Sequence, residues 1–587
     1  MRTGELRPLS WAFKSAKINN FSPRCRPCKL SASPPPLLNR RFATKAPDAV
    51  KKPYYITSPI FYVNAAPHVG HLYTLVLADI QKRWQVLLGN KDARLVTGTD
   101  EHGMKIQQAA AAAGADVQDF CDANYGQFEA LARAANVDYD EFIRTSSTQH
   151  KDAVRYFWEM LQHRGYIYEA KHEGWYSVSD ETFYPSSSVQ PMLDPPTGRK
   201  IMASIETGKE VEWSSETNYH FRLSDFKDRL LEHYKNNPNF IVPSVYQDMI
   251  VQSVSEGLPD LSISRPVQRL TWGVRVPGDE SQTIYVWLDA LISYLTKAGY
   301  PFAPGQEAEN GWPADVHIIG KDISRFHCVY WPAFLMALGL PVPRQVLTHA
   351  HWTMNRAKMS KSVGNVVNPT FALERFGVDP MRYFLAYRGG LSDDADYDNS
   401  YIIEDYKKNL QGGIGNLTTR LLRSQKWVVR DTVEWFAQGK LPNEDRTDER
   451  HRLLLESLAD RFKAGMDDLN ARKALKEVQT TIVATNKYFQ VTGPWKFPAR
   501  SEREDPDHVD RVLFLIAESL RISAILLQPA MPEKASLLLD MLGVENTDEK
   551  RGFAAARYGS DPDYGTPKVD LIPGPTGTLF PPLLSEE

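Results

Sequence analysis

After about residue 50, short apolar and β-branched runs alternate with longer stretches of helical spacing. Tyr54-Tyr55-Ile56-Thr57 predicts a strand. Ser58 to Gly70 predicts a loop, and apolar positions from about Leu72 to Leu88 predict a helix that Gly89-Asn90 stops. Arg94 to Thr97 predicts a second strand, ending at Gly98-Thr99-Asp100-Glu101-His102-Gly103. Strand, loop, helix, strand is how a Rossmann-like, doubly wound parallel sheet of the α/β class begins, and its ligands sit beyond the carboxyl ends of the strands. From about Lys171 to Arg269 the pattern breaks into short alternating segments and turn clusters, which predicts a domain inserted into that fold. The fold is expected to resume at Tyr285-Val286-Trp287-Leu288-Asp289 and at a strand Val316-His317-Ile318-Ile319, closed by Gly320-Lys321-Asp322. Beyond Tyr401 the period is helical, through Leu410, Ile414, Leu417 and Leu421 and again from Val512 to Leu527, which predicts an α-helical bundle. The expected division is 47–170 and 270–350 for two halves of the α/β domain, 171–269 for the insertion, 351–402 for a connecting region, and 403–587 for the bundle and tail.

Composition changes this picture at one end. A chain of 587 residues has room for three or four domains, and 69 basic against 72 acidic residues leave it near neutral. That balance does not exclude RNA binding, which needs only a local basic face. The most apolar run, Leu513 to Leu527, is interrupted by Glu518 and Arg521, so no membrane span is expected. Residues 1–46 differ from the rest. Arg2, Arg7, Lys14, Lys17, Arg24, Arg26, Lys29, Arg40 and Arg41 face one acid, Glu5, among many Ser and Pro. This is the composition of a mitochondrial transit peptide, and Arg40-Arg41-Phe42-Ala43 resembles a matrix-processing site. The predicted destination is the mitochondrial matrix. Cys25 and Cys28 form a CxxC inside this leader without a second pair, so no metal site is expected there. Cys121 and Cys328 are expected to be reduced, buried thiols.

Two motifs carry the chemistry: Pro67-His68-Val69-Gly70-His71 before the first helix, and Lys358-Met359-Ser360-Lys361-Ser362 far downstream. No P-loop and no GxGxxG after a strand is present, so phosphate binding must be managed otherwise. In this order and context the pair resembles the two signatures of class I aminoacyl-tRNA synthetases, which activate an amino acid with ATP and load it onto tRNA. His68 and His71 stand at the mouth of a helix, where the dipole and free N–H groups favour anions, and can donate to ATP phosphates. Gly70 between them allows the adenine and ribose to approach the backbone. Lys358 and Lys361 supply mobile ammonium groups for the charge that builds on departing pyrophosphate.

From Tyr54 to about Leu527 the chain resembles the methionyl-tRNA synthetases more closely than other class I families. The segments that carry this are Ile56-Thr57-Ser58-Pro59-Ile60-Phe61-Tyr62-Val63-Asn64, Thr97 to Gly103, Tyr285 to Ala290, and Gly320-Lys321-Asp322. The resemblance implies that Asp100 holds the methionine α-ammonium. It further implies that Ile60, Trp287, Tyr294 and His327 line the side-chain pocket with Tyr62 nearby, and that Gly320 and Asp322 contact the nucleotide. The residue types fit: a thioether favours aromatic contact, and a buried ammonium requires a carboxylate. In the bundle, Asn416-Leu417-Thr418-Thr419-Arg420 and Pro494-Trp495 match the family positions that read the anticodon, so Asn416, Arg420 and Trp495 are expected to bind tRNA(Met). Region 351–402 would hold the second motif and contact the acceptor stem.

Many members carry zinc knuckles in the inserted domain, but no cysteine lies between Cys121 and Cys328. This resembles the metal-free branch that includes organellar enzymes, so no zinc is expected, and ATP with Mg2+ enters as substrate. The chain ends soon after the bundle, which favours a monomer. Leucine, isoleucine and valine enzymes would need a larger editing insertion, and a cysteine enzyme a catalytic zinc. A catalytically dead RNA-binding descendant would not need His68, His71, Lys358 and Lys361.

Overall fold

The computed structural model describes residues 52–583 apart from 179–181, 195–196, 304, 359–366, 503–504, 572–573 and 575–576. The leader with Cys25 and Cys28, and Lys361 of the second motif, lie outside the described residues. Six strands form one parallel sheet: β1 (Tyr55–Tyr62), β2 (Arg94–Asp100), β3 (Glu141–Arg144), β4 (Ile241–Val242), β5 (Val316–Gly320) and β6 (Gln345–His349). Their order is β3-β2-β1-β5-β6-β4, with every neighbouring pair parallel. The chain steps outward from β1 through β2 to β3, and in the other direction from β5 to β6. The crevice of such a sheet opens where the winding reverses, here between β1 and β5.

Helices α1 (Val69–Leu87) and α3 (Val286–Lys297) pack on this sheet, and α2 (Thr148–His163) packs against α3. The strands read as near-continuous apolar runs because helices bury both faces. β1 continues to Tyr62, through residues whose sequence predicts a loop; Pro59 has no N–H for the ladder, and the register shifts there between Thr57 and Ile60. β2 likewise runs on to Asp100. A Cβ on Gly98 would lie 2.1 Å from the Ile143 carbonyl oxygen of β3, so glycine alone lets these strands pair.

The stretch 171–269 is less separate than its pattern predicts. Ile167–Ser177, Thr182–Tyr184, Glu212–Phe221 and Leu261–Ser262 form an antiparallel sheet of their own. Between them, helices Lys227–Asn236 and Ser244–Glu256 flank β4, which pairs with Val346 and Leu347 at the edge of the parallel sheet. A two-residue strand is too short to give a periodic signal. Arg265 ties the insertion to the α/β domain, its guanidinium 4.7 Å from the Tyr285 ring; within the insertion, Arg265 lies 5.2 Å and Arg269 4.8 Å from the Tyr176 ring.

Beyond α4 (Val378–Arg388) the chain is helical, with α5 (Asn416–Leu422), α6 (Ala471–Thr492), α7 (His508–Leu527) and α8 (Pro532–Met541) carrying the bundle. Leu410, Ile414, Leu417 and Leu421 are buried as their spacing predicts. Tyr406–Gly415, however, is wound as a π-helix. Its glycines permit that winding, since a Cβ on Gly412 would meet the Lys407 oxygen at 2.8 Å and one on Gly415 the Leu410 oxygen at 2.9 Å. Glu518 and Arg521, which interrupt the apolar run of α7, form a fully buried bidentate pair at 2.7 and 2.8 Å. They also bind the C-terminal segment, through Gly559 N–H and the Ala555 carbonyl. Among the described residues no helix is long and apolar enough to cross a membrane. Cys121 and Cys328 are buried free thiols; burial pushes both up, Cys121 to about 12.

Arg382 of α4 joins the sheet to the bundle. Fully buried, it pairs with Asp79 of α1 and donates to the carbonyls of Pro529 and Ala530 at 2.9 and 3.1 Å, before α8, and of Ala135 at 3.1 Å. Asp79 also accepts from Arg83 and from Asp138 N–H. Removing one partner of a buried ion pair costs about 3–5 kcal/mol when the other is left unpaired. Asp79 keeps Arg83 at 2.8 Å, so the loss of Arg382 costs about 2–3 kcal/mol. Arg382→Leu is therefore expected to lower the unfolding midpoint in urea by an equivalent amount; a loss below about 1 kcal/mol would contradict the clasp.

Candidate active site

The ends of β1, β2, β5 and β6 open into a cavity of about 390 Å³ at the winding reversal. It brings together eleven of the residues singled out from the sequence: Ile60, Tyr62, His68, Gly70, His71, Asp100, Trp287, Tyr294, Gly320, Asp322 and His327. The backbone of Lys358 pairs with Thr353 in a hairpin just beyond the end of β6.

His68 caps α1. Its Nδ1 accepts from Gly70 N–H at 3.1 Å, while His71 Nδ1 accepts from His68 N–H at 3.1 Å. With both Nδ1 atoms acting as acceptors, the proton of each neutral ring is on Nε2. The rings stack with centroids 3.8 Å apart, so the two Nε2–H donors stand together at a helix N-terminus, an arrangement suited to phosphate oxygens. Gly70 has a nearer reason to be glycine than ligand approach: a Cβ there would lie 2.9 Å from His68 Cε1 and disturb the cap.

Asp100 ends β2 facing the cavity and is 8 % exposed. The loop behind it is fixed through Glu101, fully buried, which takes Arg144 bidentately at 2.7 and 2.9 Å and Ser146 at 2.5 Å. Opposite, Trp287 stacks on Phe326 at 3.6 Å, and Tyr294 donates its hydroxyl to His327 Nε2 at 2.7 Å. His327 Nδ1 donates to the Ile323 carbonyl at 3.0 Å. Burial holds His327 down at about 4, so it is neutral at physiological pH, and raises the Tyr294 phenol above its ordinary range. The wall is aromatic and uncharged; the charge in the pocket comes from Asp100 and from the rim.

At the end of β5, Asp322 accepts from His351 Nε2 at 3.1 Å, and a Cβ on Gly320 would lie 2.7 Å from Asp322 Oδ1. His349, His351 and Lys105 also line the cavity, and the sequence reading missed all three. His349 and His351 follow the apolar strand β6 much as Gly320 and Asp322 follow β5, which is the signal that could have found them. Lys105 sits in the first turn after the Asp100 loop, 5.6 Å above the Tyr62 ring.

In the bundle, Asn416 is exposed on α5, and Arg420 lies over two rings, 4.1 Å from Phe489 and 5.0 Å from Trp495. Trp495 is partly buried, edge-on to Phe489 at 5.4 Å.

Comparison with known proteins decides the family. Residues 54–422 match the class I tRNA synthetases (M), and residues 441–557 match the anticodon-binding domain of methionyl-tRNA ligase. The chain belongs to the methionyl-tRNA synthetases of class I. It is 50% identical over 576 residues to a probable mitochondrial methionine–tRNA ligase of Neurospora crassa, covering 96% of this chain and 91% of the relative. The human mitochondrial methionine–tRNA ligase is 41% identical over 91% of each chain. The solved Mycobacterium tuberculosis methionyl-tRNA synthetase in complex with methionyl-adenylate is 38% identical, with a TM-score of 0.79, over 90% of this chain and 100% of that one. As a member of this family of synthetases, the chain is a ligase of the mitochondrial type that joins methionine to tRNA.

Burial holds His349 as well as His327 at about 4, against 6.5 for a free histidine. A depressed folded value means that the unfolded chain binds protons first as pH falls. Their contribution to stability is complete above 6.5 and is lost between there and about 4. The melting temperature should therefore fall between about pH 7.5 and pH 5; a flat profile over that interval would contradict buried, neutral imidazoles.

Proposed function

We propose that the cavity between β1 and β5 holds methionine and ATP side by side and forms methionyl-adenylate there. The observation that carries this reading is the meeting, in one crevice, of a buried carboxylate, an aromatic wall and a stacked histidine pair at a helix N-terminus. Asp100 takes the α-ammonium, since a buried cation requires a carboxylate. Ile60, Trp287, Tyr294 and His327 receive the thioether, with Tyr62 beside them. His68 and His71 donate to the phosphates of ATP, which enters with Mg2+, while Gly70, Gly320 and Asp322 meet the adenosine.

A methionine carboxylate oxygen attacks the α-phosphorus. The bond to the bridging oxygen breaks, and pyrophosphate leaves with the electron pair. Holding the reactants in line removes most of the entropic barrier, and donors aimed at the leaving group carry its growing charge. Lys358 and Lys361 serve this last role. A terminal ribose hydroxyl of tRNA(Met) then attacks the activated carbonyl, loses its proton, and AMP departs.

Region 403–587 binds the anticodon through Asn416, Arg420 and Trp495. Amide, guanidinium and indole groups suit unstacked bases, and the guanidinium already packed on Trp495 presents the two as one platform. Region 351–402 carries the second motif towards the acceptor stem. The inserted region 171–269 works without zinc, a reading supported by its lack of cysteine and by the Arg265 and Arg269 stacks. The enzyme acts as a monomer in the mitochondrial matrix, a placement supported by the basic, acid-poor leader.

Asp100→Asn keeps the shape of the side chain and removes the charge. Methionine KM in ATP–pyrophosphate exchange is expected to rise on the order of a hundredfold, the worth of roughly 3 kcal/mol of lost ion pairing. ATP KM should change little. Equal methionine dependence in variant and wild type would show that Asp100 serves the fold alone.

A further inference from the structure

The two faces of the methionine pocket come from distant parts of the chain, and one buried carboxylate outside the cavity lining joins them. Asp289 lies in the first turn of α3, two residues beyond Trp287. Its Oδ2 is 2.6 Å from Nδ1 of His102, two residues beyond Asp100, and its Oδ1 is 2.8 Å from Nε2 of His150 on α2. All three side chains are buried, and none of them lines the cavity. Burial raises the Asp289 carboxyl, but the two imidazoles outweigh it and hold the group below the usual carboxylate range. It is therefore an ionised acceptor to which both rings donate. His150 Nδ1 continues to Thr296 Oγ1 at 2.9 Å, two helical turns further along α3. The helix is thus held at two points on one face and cannot slide or rotate without breaking a contact. The surrounding groups close the arrangement: Trp272 packs edge-on against His102 at 5.7 Å and donates its indole N–H to the Glu101 carbonyl at 2.5 Å.

We propose that Asp289, through His102 and His150, is a positioning residue for methionine. It sets the separation between the carboxylate that takes the ammonium and the ring that takes the thioether. The proposal rests on the assignment of Asp100 and Trp287 above. Ammonium and thioether are fixed on one small molecule, so a relative shift of the two walls loses one contact whenever the other is made; tight support behind the contacting residues is what prevents it.

The test uses the full-length protein in ATP–pyrophosphate exchange with methionine and ATP varied separately, alongside thermal unfolding. Asp289→Asn is expected to raise methionine KM about tenfold or more while ATP KM stays within about twofold. Because a buried Asp289 variant can fail to fold, the histidines provide a second arm. An asparagine amide nitrogen overlays Nδ1 and a glutamine amide nitrogen overlays Nε2. His102→Asn and His150→Gln therefore keep the donor, whereas His102→Leu and His150→Leu fill the space without it. The amide variants are expected to hold methionine KM near the wild-type value, and the leucine variants to raise it. Equal impairment of the amide and leucine variants at both positions would overturn the proposal, as would a folded Asp289→Asn with unchanged methionine KM. Asp100→Asn in the same assay separates the two levels. If it leaves methionine KM unchanged, the pocket assignment fails and the brace falls with it. If it raises KM while the Asp289 and histidine variants do not, only the brace is wrong.

Discussion

The pairing of β1 with β5 is the contact on which the rest of this molecule depends. Ile56 aligns with Val316 and Thr57 with His317, although some 260 residues separate them in the chain. His317 accepts from the Trp331 indole at 3.2 Å, which leaves its Nδ1–H to donate to Thr57 Oγ1 at 2.6 Å and lock the register beneath the cavity. Because the winding reverses at this pair, the loop after β1 and the loop after β5 leave in opposite directions and open a crevice between them. The histidine pair enters that crevice from one side, Gly320 and Asp322 from the other.

Around this seam, buried charges fix the relative positions of elements that hydrophobic packing alone would leave free to slide. Glu101 with Arg144, Asp289 with two imidazoles, and Asp79 with Arg382 each bridge different segments, and Glu518 with Arg521 on α7 together hold the C-terminal segment. Such pairs contribute little net stability over apolar residues of the same volume. Their value here is geometric, since each holds only when its segments are in one register. The Arg382 clasp has the further consequence that α1, whose first turn carries His71, and the turn before α8 of the bundle share one guanidinium. The proposed phosphate site and the bundle are therefore joined through this one group.

Much of this was legible in the residues. The strand at Val316, the helix after His71 and the bundle period through Leu421 are local patterns, and local patterns survive without tertiary knowledge. The candidate cavity was legible because strand ends and helix starts are where a parallel sheet places its ligands. What escaped depends on long-range pairing. β4 is only two residues long and exists as a strand because β6 lies beside it. Tyr62 looked like loop because Pro59 and the register shift break the periodic signal. The π-winding of Tyr406–Gly415 keeps the apolar spacing of an α-helix, so its burial was foreseen and its geometry was not. Lys105 carries no local mark; only the closure of the crevice brings it to the wall.

The most direct test of the account is which amino acid the crevice activates. Purified protein is assayed for ATP–pyrophosphate exchange with methionine, leucine, isoleucine, valine and cysteine in turn. An uncharged aromatic wall facing Asp100 predicts strong exchange with methionine and weak or no exchange with the branched amino acids and cysteine. Exchange supported equally by leucine, isoleucine or valine, or by none of the five, would contradict it.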